Sequence, residues 1–227
     1  MTYKFTWNIL KLTTMVNVIQ KGVIMDNIFL KIPQEKRDCI INAALEEFAK
    51  SGFSKASTTA IVEKAGISKG LLFHYFGSKK NLYESLKHFA LNHICEVLEE
   101  GINFSQQDYF KRAHDAMMLK FSIIETYPYL YEFLDTAFPT LSAYEINQML
   151  TPKMQVLTQK LLTYNIDFSL FRSDIDLEEI LSIITLTLQG LIQTSWKREN
   201  EHFDHEKFSI ECDKYLNNLK IAFYKQE

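Results

Sequence analysis

The residues with the most evident capacity for chemistry lie in the stretch SKGLLFHYFGSKK. Lys69, His74 and Tyr75 can point outward together from one short helix and offer a cation, an imidazole and a phenol. Gly70 gives a partner close access to the backbone, and Lys79 begins the next helix beside exposed backbone amides. Such groups suit contacts with phosphates and base edges, so the stretch predicts a nucleic-acid-binding face.

Two short helical segments and a long one that follows them are predicted to position these residues. A helix over residues 58–65 stops at Gly66, which can take a left-handed conformation. Ser68 can then cap a second helix that runs to about Phe76, and Ser78 can cap a third. Two short helices joined by a tight turn that contains glycine form a helix-turn-helix arrangement.

Apolar spacing predicts which side of these helices is buried. Leu72 and Phe76 lie four residues apart and can form the inner side of the second short helix, the recognition helix of the helix-turn-helix arrangement. Phe48 and Phe53 come earlier in the chain and are expected to pack in the same three-helix core. The opposite side of the recognition helix would then be free to enter a DNA major groove, which is about 12 Å wide.

Residues 43–86, AALEEFAKSGFSKASTTAIVEKAGISKGLLFHYFGSKKNLYESL, resemble the tetracycline-repressor (TetR) family of bacterial transcription regulators. The resemblance implies a repressor that a small apolar or cationic inducer releases from a palindromic operator of double-stranded DNA. Activation instead of repression is the alternative. The DNA-binding residues that it implies are Thr58, Lys69, Gly70, Phe73, His74, Tyr75 and Lys79. Thr58 would meet the DNA backbone and Lys79 a phosphate. Family members often have a second tyrosine or a tryptophan where this chain has His74, which leaves the operator sequence open.

The composition of the whole chain favours an all-α fold. Its 227 residues are 47% hydrophobic and 23% charged, which is typical of a globular protein. Only 7 Gly and 4 Pro interrupt the chain, which leaves room for long helices. We expect an N-terminal three-helix helix-turn-helix DNA-binding domain over residues 34–80. A larger C-terminal helical domain for ligand binding and dimerisation would follow over residues 81–227.

Residues 1–33 are predicted to be an N-terminal extension. The sequence KGVIM, residues 21–25, can be encoded by a ribosome-binding sequence just ahead of a start codon. This suggests the hypothesis that translation begins at Met25 and that residues 1–24 are not part of the native protein. A flexible or partly helical N-terminal arm is the alternative.

Charge and cysteine usage bear on the partner and the compartment. Residues 1–88 carry 13 Lys and Arg against 7 Asp and Glu, whereas residues 89–227 carry 12 against 21. A basic front on an acidic body favours a polyanion as the partner of the N-terminal domain. Cys39, Cys95 and Cys212 are far apart in sequence and form no CxxC pair, which suits a reducing cytoplasm.

Other classes of function find little support in the sequence. It has no GxSxG, Walker, HExxH or dinucleotide-binding glycine pattern, so we expect neither an enzyme nor a cofactor. The two histidines of HFDH, residues 202–205, fit a solvated loop better than a metal site. The sequence contains no run of about 18 apolar residues, so it predicts no membrane span. A ligand-independent DNA-organising protein of the same fold is the alternative function.

The helices predicted beyond Gly101 cover about residues 106–127, 128–138, 141–164, 176–198 and 205–225. The first of them contains the candidate ligand-pocket residues, which form one stripe: Phe110, His114, Met117 and Phe121. Methionine is an adaptable pocket lining, and such a stripe is also typical of a packed core. The resemblance implies a ligand cavity in this domain. The inducer stays open among a drug-like cation, a fatty-acyl compound and another apolar molecule.

Two C-terminal helices are candidates for a dimer interface. The segment over residues 177–195 is apolar on nearly every side, which requires burial of more than one face. A four-helix interface between two copies would provide that burial, with these candidate residues: Leu181, Ile184, Leu188, Leu191, Tyr215 and Leu219. The resemblance implies the same homodimer. A monomeric pair of core helices is the alternative.

Overall fold

The computed structural model describes residue 29 and residues 31–138, 152–198 and 205–226. Helices dominate these ranges, which contain no β-strand beyond one isolated bridge between Phe171 and Tyr224. The all-α prediction is confirmed. The hypothesis about Met25 and the start of the helix predicted over residues 141–164 lie outside the described residues.

The α-helices of the described ranges, numbered in chain order, are α1 (Gln34–Lys55), α2 (Thr58–Ala65), α3 (Lys69–Phe76), α4 (Lys79–Gly101), α5 (Tyr109–Thr126), α6 (Leu130–Ala137), α7 (Pro152–Thr163), α8 (Leu177–Arg198) and α9 (His205–Phe223). A short 3-10 helix covers Phe168–Leu170. None of these described helices has the length and apolar character that crossing a membrane requires. The predicted bounds of α2 and the predicted end of α3 agree with the structure.

Local side-chain chemistry starts and stops the short helices. The hydroxyl of Ser57 accepts a hydrogen bond from the backbone amide three residues later at 3.3 Å, and the hydroxyls of Ser68 and Ser78 do the same at 3.1 Å. Each bond satisfies one of the amides that a helix start leaves unpaired. Gly66 ends α2 with φ 64° and ψ 35°, a left-handed conformation that favours glycine. The α2–α3 turn is therefore encoded within a few residues.

The chain divides into two compact units. The first consists of the described residues within 1–97 and 122–157, and the second of those within 98–121 and 158–227. These units follow from how the helices pack. The predicted division between residues 80 and 81 concerns function and stays a prediction.

The core of the first unit contains most of the aromatic residues assigned to it from sequence. Phe48, Leu72 and Phe76 are buried, as predicted. The prediction for Phe53 is wrong, because this residue is 40% exposed. It directly follows Gly52, whose φ of 66° and ψ of 167° take the backbone of α1 out of its helical path. Its ring lies 6.4 Å from that of Phe48 and 5.0 Å from that of Tyr83, so Phe53 covers the edge of the core.

A buried cation and a cluster of rings organise the second unit. The ring of Tyr224 lies 5.0 Å from that of Phe110 and 4.8 Å from that of Phe171, both in edge-to-face geometry. Arg112 is buried, and its guanidinium donates hydrogen bonds to three backbone carbonyls, those of Phe104, Gln106 and Tyr164. The planar fork of the guanidinium suits several acceptors at once. Arg112 thereby joins the loop before α5 to the end of α7.

Candidate nucleic-acid interface

Helix α3 presents one polar face to solvent. Lys69, Gly70 and His74 are exposed, and Phe73 is half-buried. A Cβ atom built on Gly70 would meet nothing closer than Ser68 Oγ, at 3.9 Å. The packing of the protein itself therefore does not require glycine at this position. The missing side chain instead leaves the backbone open to a molecule that approaches from outside.

Tyr75 lies on the buried side of α3, which corrects the expectation that it points outward. The residue is 7% exposed, and its ring lies 5.4 Å from that of Phe29 in edge-to-face geometry. Successive helical residues are rotated by about 100°, so Tyr75 turns inward where His74 faces solvent. Tyr75 accordingly supports α3 from behind, beside Leu72 and Phe76.

Lys79 is engaged by the protein's own backbone. Its ammonium donates hydrogen bonds to the carbonyl oxygens of Ala56, at 2.7 Å, and Ser54, at 3.3 Å. The same ammonium lies 5.2 Å from the centre of the Phe53 ring. These contacts join the start of α4 to the connection between α1 and α2. The predicted contact between Lys79 and a DNA phosphate stays a prediction.

Thr58 is the first residue of α2 and is half-buried. The residue before it, Ser57, is the N-cap, and the backbone N–H of Ser57 donates a hydrogen bond to Glu47 Oε1 at 2.7 Å. The amino end of a helix has unpaired amides and a partial positive charge, both of which favour an anion. Thr58 is therefore placed at an end of α2 that suits the DNA backbone, although a contact there stays a prediction.

Lysines in the first unit differ in whether a carboxylate neutralises them. Lys50 and Lys64 both pair with Glu46, and Lys50 Nζ lies 2.8 Å from Glu46 Oε1. Burial raises the pKa of Glu46, but hydrogen bonds from these two lysines outweigh burial and lower the pKa overall. Lys69 and Lys80 are exposed, and neither has a carboxylate partner in the part of the chain that the structure describes. Their charges are available to an external anion.

The candidate pocket residues lie in the second unit, three of them in its packed interior. Phe110, Met117 and Phe121 are buried, and the ring of Phe121 lies 3.8 Å from that of Phe208. His114 is half-buried, and its Nε2 atom lies 3.5 Å from a carboxylate oxygen of Asp213. A ligand cavity lined by these side chains stays a prediction.

The candidate dimer residues are separated by the structure into buried and accessible ones. Ile184 and Leu191 are buried inside the second unit, which corrects their assignment to an intermolecular surface. Leu181, Leu188 and Leu219 are half-buried, and Tyr215 is exposed. Four apolar residues that the spacing did not assign to the interface are more exposed than these: Ile183, Leu186, Ile210 and Ile221. They follow from α8 and α9 being apolar on more than one face.

Phe29 is a further residue that sequence analysis missed. It is completely buried, and its ring contacts those of Tyr75 and Phe76. The available signal was the apolar run IFL, residues 28–30, just ahead of α1. Spacing within α3 does not predict that Tyr75 and Phe76 pack against Phe29, because Phe29 lies more than forty residues earlier in the chain.

The first unit contains a helix-turn-helix arrangement. It consists of the short capped helices α2 and α3, the three-residue turn between them and an exposed polar face on α3 that carries Lys69. Residues 40–86 match the family model described as bacterial regulatory proteins, tetR family. The match contains α2, α3 and the turn between them, together with parts of α1 and α4.

Two curated relatives are similar to part of the chain. The HTH-type transcriptional regulator UidR of Escherichia coli K12 is 39% identical over 84 residues, which are 35% of this chain and 42% of UidR. The HTH-type transcriptional repressor AcnR of Corynebacterium glutamicum is 33% identical over 69 residues, which are 30% of this chain and 37% of AcnR. The chain thus spans less than half the length of either relative. Both are transcriptional regulators, which agrees with the prediction that the chain is not an enzyme.

Solved structures extend the similarity of fold to most of the chain. A TetR family transcriptional regulator from Chloroflexus aurantiacus J-10-FL has a TM-score of 0.62 and 19% identity, and the match covers 89% of this chain and 100% of that one. The TetR family regulator PfmR from Thermus thermophilus has a TM-score of 0.59 and 18% identity, with 84% and 98% covered. Residues 40–86 thus match the TetR family model, and the fold of the described residues is similar to that of solved TetR family regulators.

Proposed function

We propose that the chain is a transcriptional regulator that reads double-stranded DNA with α3 in the major groove. The observation that carries this proposal is the exposed face of α3, on which Lys69, Gly70 and His74 lie while Leu72 and Tyr75 anchor the opposite face. Lys69 would bind a phosphate, and His74 would hydrogen-bond to a base edge. Gly70 would let the backbone of α3 come close to the DNA.

The proposed regulator is a homodimeric repressor on a palindromic operator. A twofold dimer presents two copies of α3 to two half-sites, which is how helix-turn-helix proteins read palindromes. Exposed apolar residues on α8 and α9, including Leu186 and Ile221, support a subunit interface at these helices. The name of AcnR, a transcriptional repressor that is similar to part of this chain, supports repression.

Binding of a small apolar or cationic inducer would cause the repressor to dissociate from its operator. The buried aromatic and methionine side chains of α5, such as Phe110, Met117 and Phe121, support an apolar ligand because methionine readily repacks around one. Release requires the inducer to bind the DNA-free conformation more tightly than the DNA-bound one. A difference of about 1–3 kcal/mol is typical of such coupling.

A footprint of the purified protein on the DNA that flanks its own gene tests this function. We expect a compact palindromic footprint that weakens when the salt concentration is raised. The double variant Lys69→Ala, His74→Ala should give no footprint. Lys214→Ala, which removes an exposed lysine from α9, is the matched control and should leave it intact.

The other outcomes separate the alternatives. Without a footprint at the flanking DNA, the protein is used to select duplexes from a random-sequence pool, and selection of none would refute sequence-specific binding. Occupancy of many scattered sites that small molecules do not alter would favour a ligand-independent DNA-organising protein. A footprint that survives the double substitution would exclude α3 as the reading helix.

A further inference from the structure

Phe29 is completely buried although it lies ahead of α1 and outside the range 40–86 that carries the family similarity. Its ring lies 5.4 Å from that of Tyr75 in edge-to-face geometry and 4.9 Å from that of Phe76. Its carbonyl accepts a hydrogen bond from the backbone N–H of Ile32 at 3.4 Å. The residue therefore packs on the inner face of α3 as an addition to the helix-turn-helix core.

Helix α3 depends on such packing because it has only eight residues. A helix of about two turns is not stable in isolation, so contacts of its inner face decide its orientation. That face consists of Leu72, Tyr75 and Phe76, which are all buried. Phe29 contacts the last two and so supports the final turn of α3. The same turn carries the exposed His74.

We propose that Phe29 is a positioning residue for the recognition helix, a role that rests on the proposed function of α3 in reading DNA. Phe29 lies behind α3 and would make no contact with DNA itself. Its loss would leave a cavity beneath Tyr75, and α3 would shift toward that space. Contacts with base edges depend on position more strictly than attraction to phosphates does, so specific binding would suffer more than non-specific binding.

The test compares full-length Phe29→Ala and Phe29→Leu with the unchanged protein. The specific probe is the strongest duplex that the unchanged protein selects from a random-sequence pool, and the non-specific probe is a duplex of scrambled sequence. For Phe29→Ala we expect affinity for the selected duplex to fall about tenfold or more, as for the loss of one good base contact. The dependence of binding on salt should not change, because no phosphate contact is removed. Phe29→Leu should have an intermediate effect.

Amide hydrogen exchange gives a second readout that needs no DNA. We expect the amides of residues 68–77 to exchange faster in both variants than in the unchanged protein. Phe171→Leu is the matched control, because it also shortens a buried aromatic residue, but one in the second unit. The control should preserve both the affinity for the selected duplex and the protection of α3.

Three results would overturn the proposal. Phe29→Leu and Phe29→Ala could both retain the unchanged affinity and exchange. The loss of affinity could be equal for the selected and the scrambled duplex. The control Phe171→Leu could also show the same loss of affinity, and either of these two results would indicate general destabilisation. If the unchanged protein selects no duplex, the proposed function fails instead. In that case hydrogen exchange alone decides whether Phe29 positions α3.

Discussion

The ammonium of Lys79 donates a hydrogen bond to the backbone carbonyl of Ala56 over 2.7 Å. This contact links the first residue of α4 to the residue that caps the end of α1, across 23 positions of sequence. It gives a residue that the TetR resemblance assigns to a DNA phosphate a second role inside the protein. Both roles are compatible, since an ammonium has three donors and this one uses two on the backbone.

We expect Lys79→Met to lower the free energy of unfolding by about 1–2 kcal/mol, because two backbone carbonyls lose a charged donor. Urea unfolding, followed by circular dichroism, measures this change. Lys80→Met is the matched control, since Lys80 is the adjacent lysine and is exposed. Equal stabilities of the two variants would show that the contact with Ala56 contributes nothing to the fold.

Gly70→Ala should separate stability from DNA binding. Alanine is favoured over glycine in a helix by about 1 kcal/mol, and the added methyl group would meet only Ser68 Oγ, at 3.9 Å. We therefore expect an unfolding free energy that is unchanged or higher, together with weaker binding to the selected duplex. Gly66→Ala is the comparison, because φ at Gly66 is 64° and an added side chain should destabilise the fold. Full DNA affinity in Gly70→Ala would contradict close approach at this position.

The carboxylate of Asp108 makes the second unit sensitive to acid. Burial raises its pKa, but hydrogen bonds from Lys220 Nζ, at 2.6 Å, and from the Lys111 backbone and the Tyr224 hydroxyl outweigh burial and lower the pKa overall. Because the folded pKa lies below the unfolded value of about 3.9, the unfolded state binds more protons in this window. Stability is therefore present above the unfolded pKa and is lost as the pH falls through the folded pKa.

The measurement for Asp108 is urea unfolding between pH 7 and pH 3. We expect Asp108→Asn to be less stable than the unchanged protein at pH 7, and the difference to shrink as the pH falls below about 4. Glu179→Gln, an exposed substitution in α8, serves as the control and should follow the unchanged protein. A constant difference across the whole range would mean that the charge of Asp108 is not what stabilises the fold.

The exposed apolar residues of α8 and α9 lead to a prediction about assembly. We expect Leu186→Glu to weaken the proposed dimer about a hundredfold or more, because burying one leucine is worth about 1.5–3 kcal/mol and a twofold interface loses two. Sedimentation velocity over a range of protein concentrations measures this. Val156→Glu in α7 is the matched control, since both residues are 64% exposed. Equal dimerisation of the two variants would place the interface elsewhere.

Short-range patterns predicted the helix-turn-helix elements well. The serines before α2, α3 and α4 and the glycine after α2 act on neighbouring amides and carbonyls, so a few residues of sequence contain the whole cause. Apolar spacing in the same region predicted the burial of Phe48, Leu72 and Phe76 correctly. The resemblance over residues 43–86 depends on these same local signals.

Long-range packing decided what these patterns could not. In α8, apolar residues occupy nearly every side, so spacing alone did not distinguish Ile184, which is buried, from Ile183, which is exposed. The choice depends on which face packs inside the second unit. Likewise, the aromatic pattern did not predict that Phe53, which follows the kink at Gly52, stays 40% exposed at the edge of the core.

The sequence by itself determined the helical class, the bounds of α2 and α3 and the identity of the outward residues Lys69, Gly70 and His74. Only the tertiary structure decided that Tyr75 is a buried support and that Lys79 bonds to the connection between α1 and α2. The physical reason is the range of the forces involved. Caps and helical periodicity act within about one turn, whereas the partners of Tyr75 and Lys79 come together only when distant segments pack.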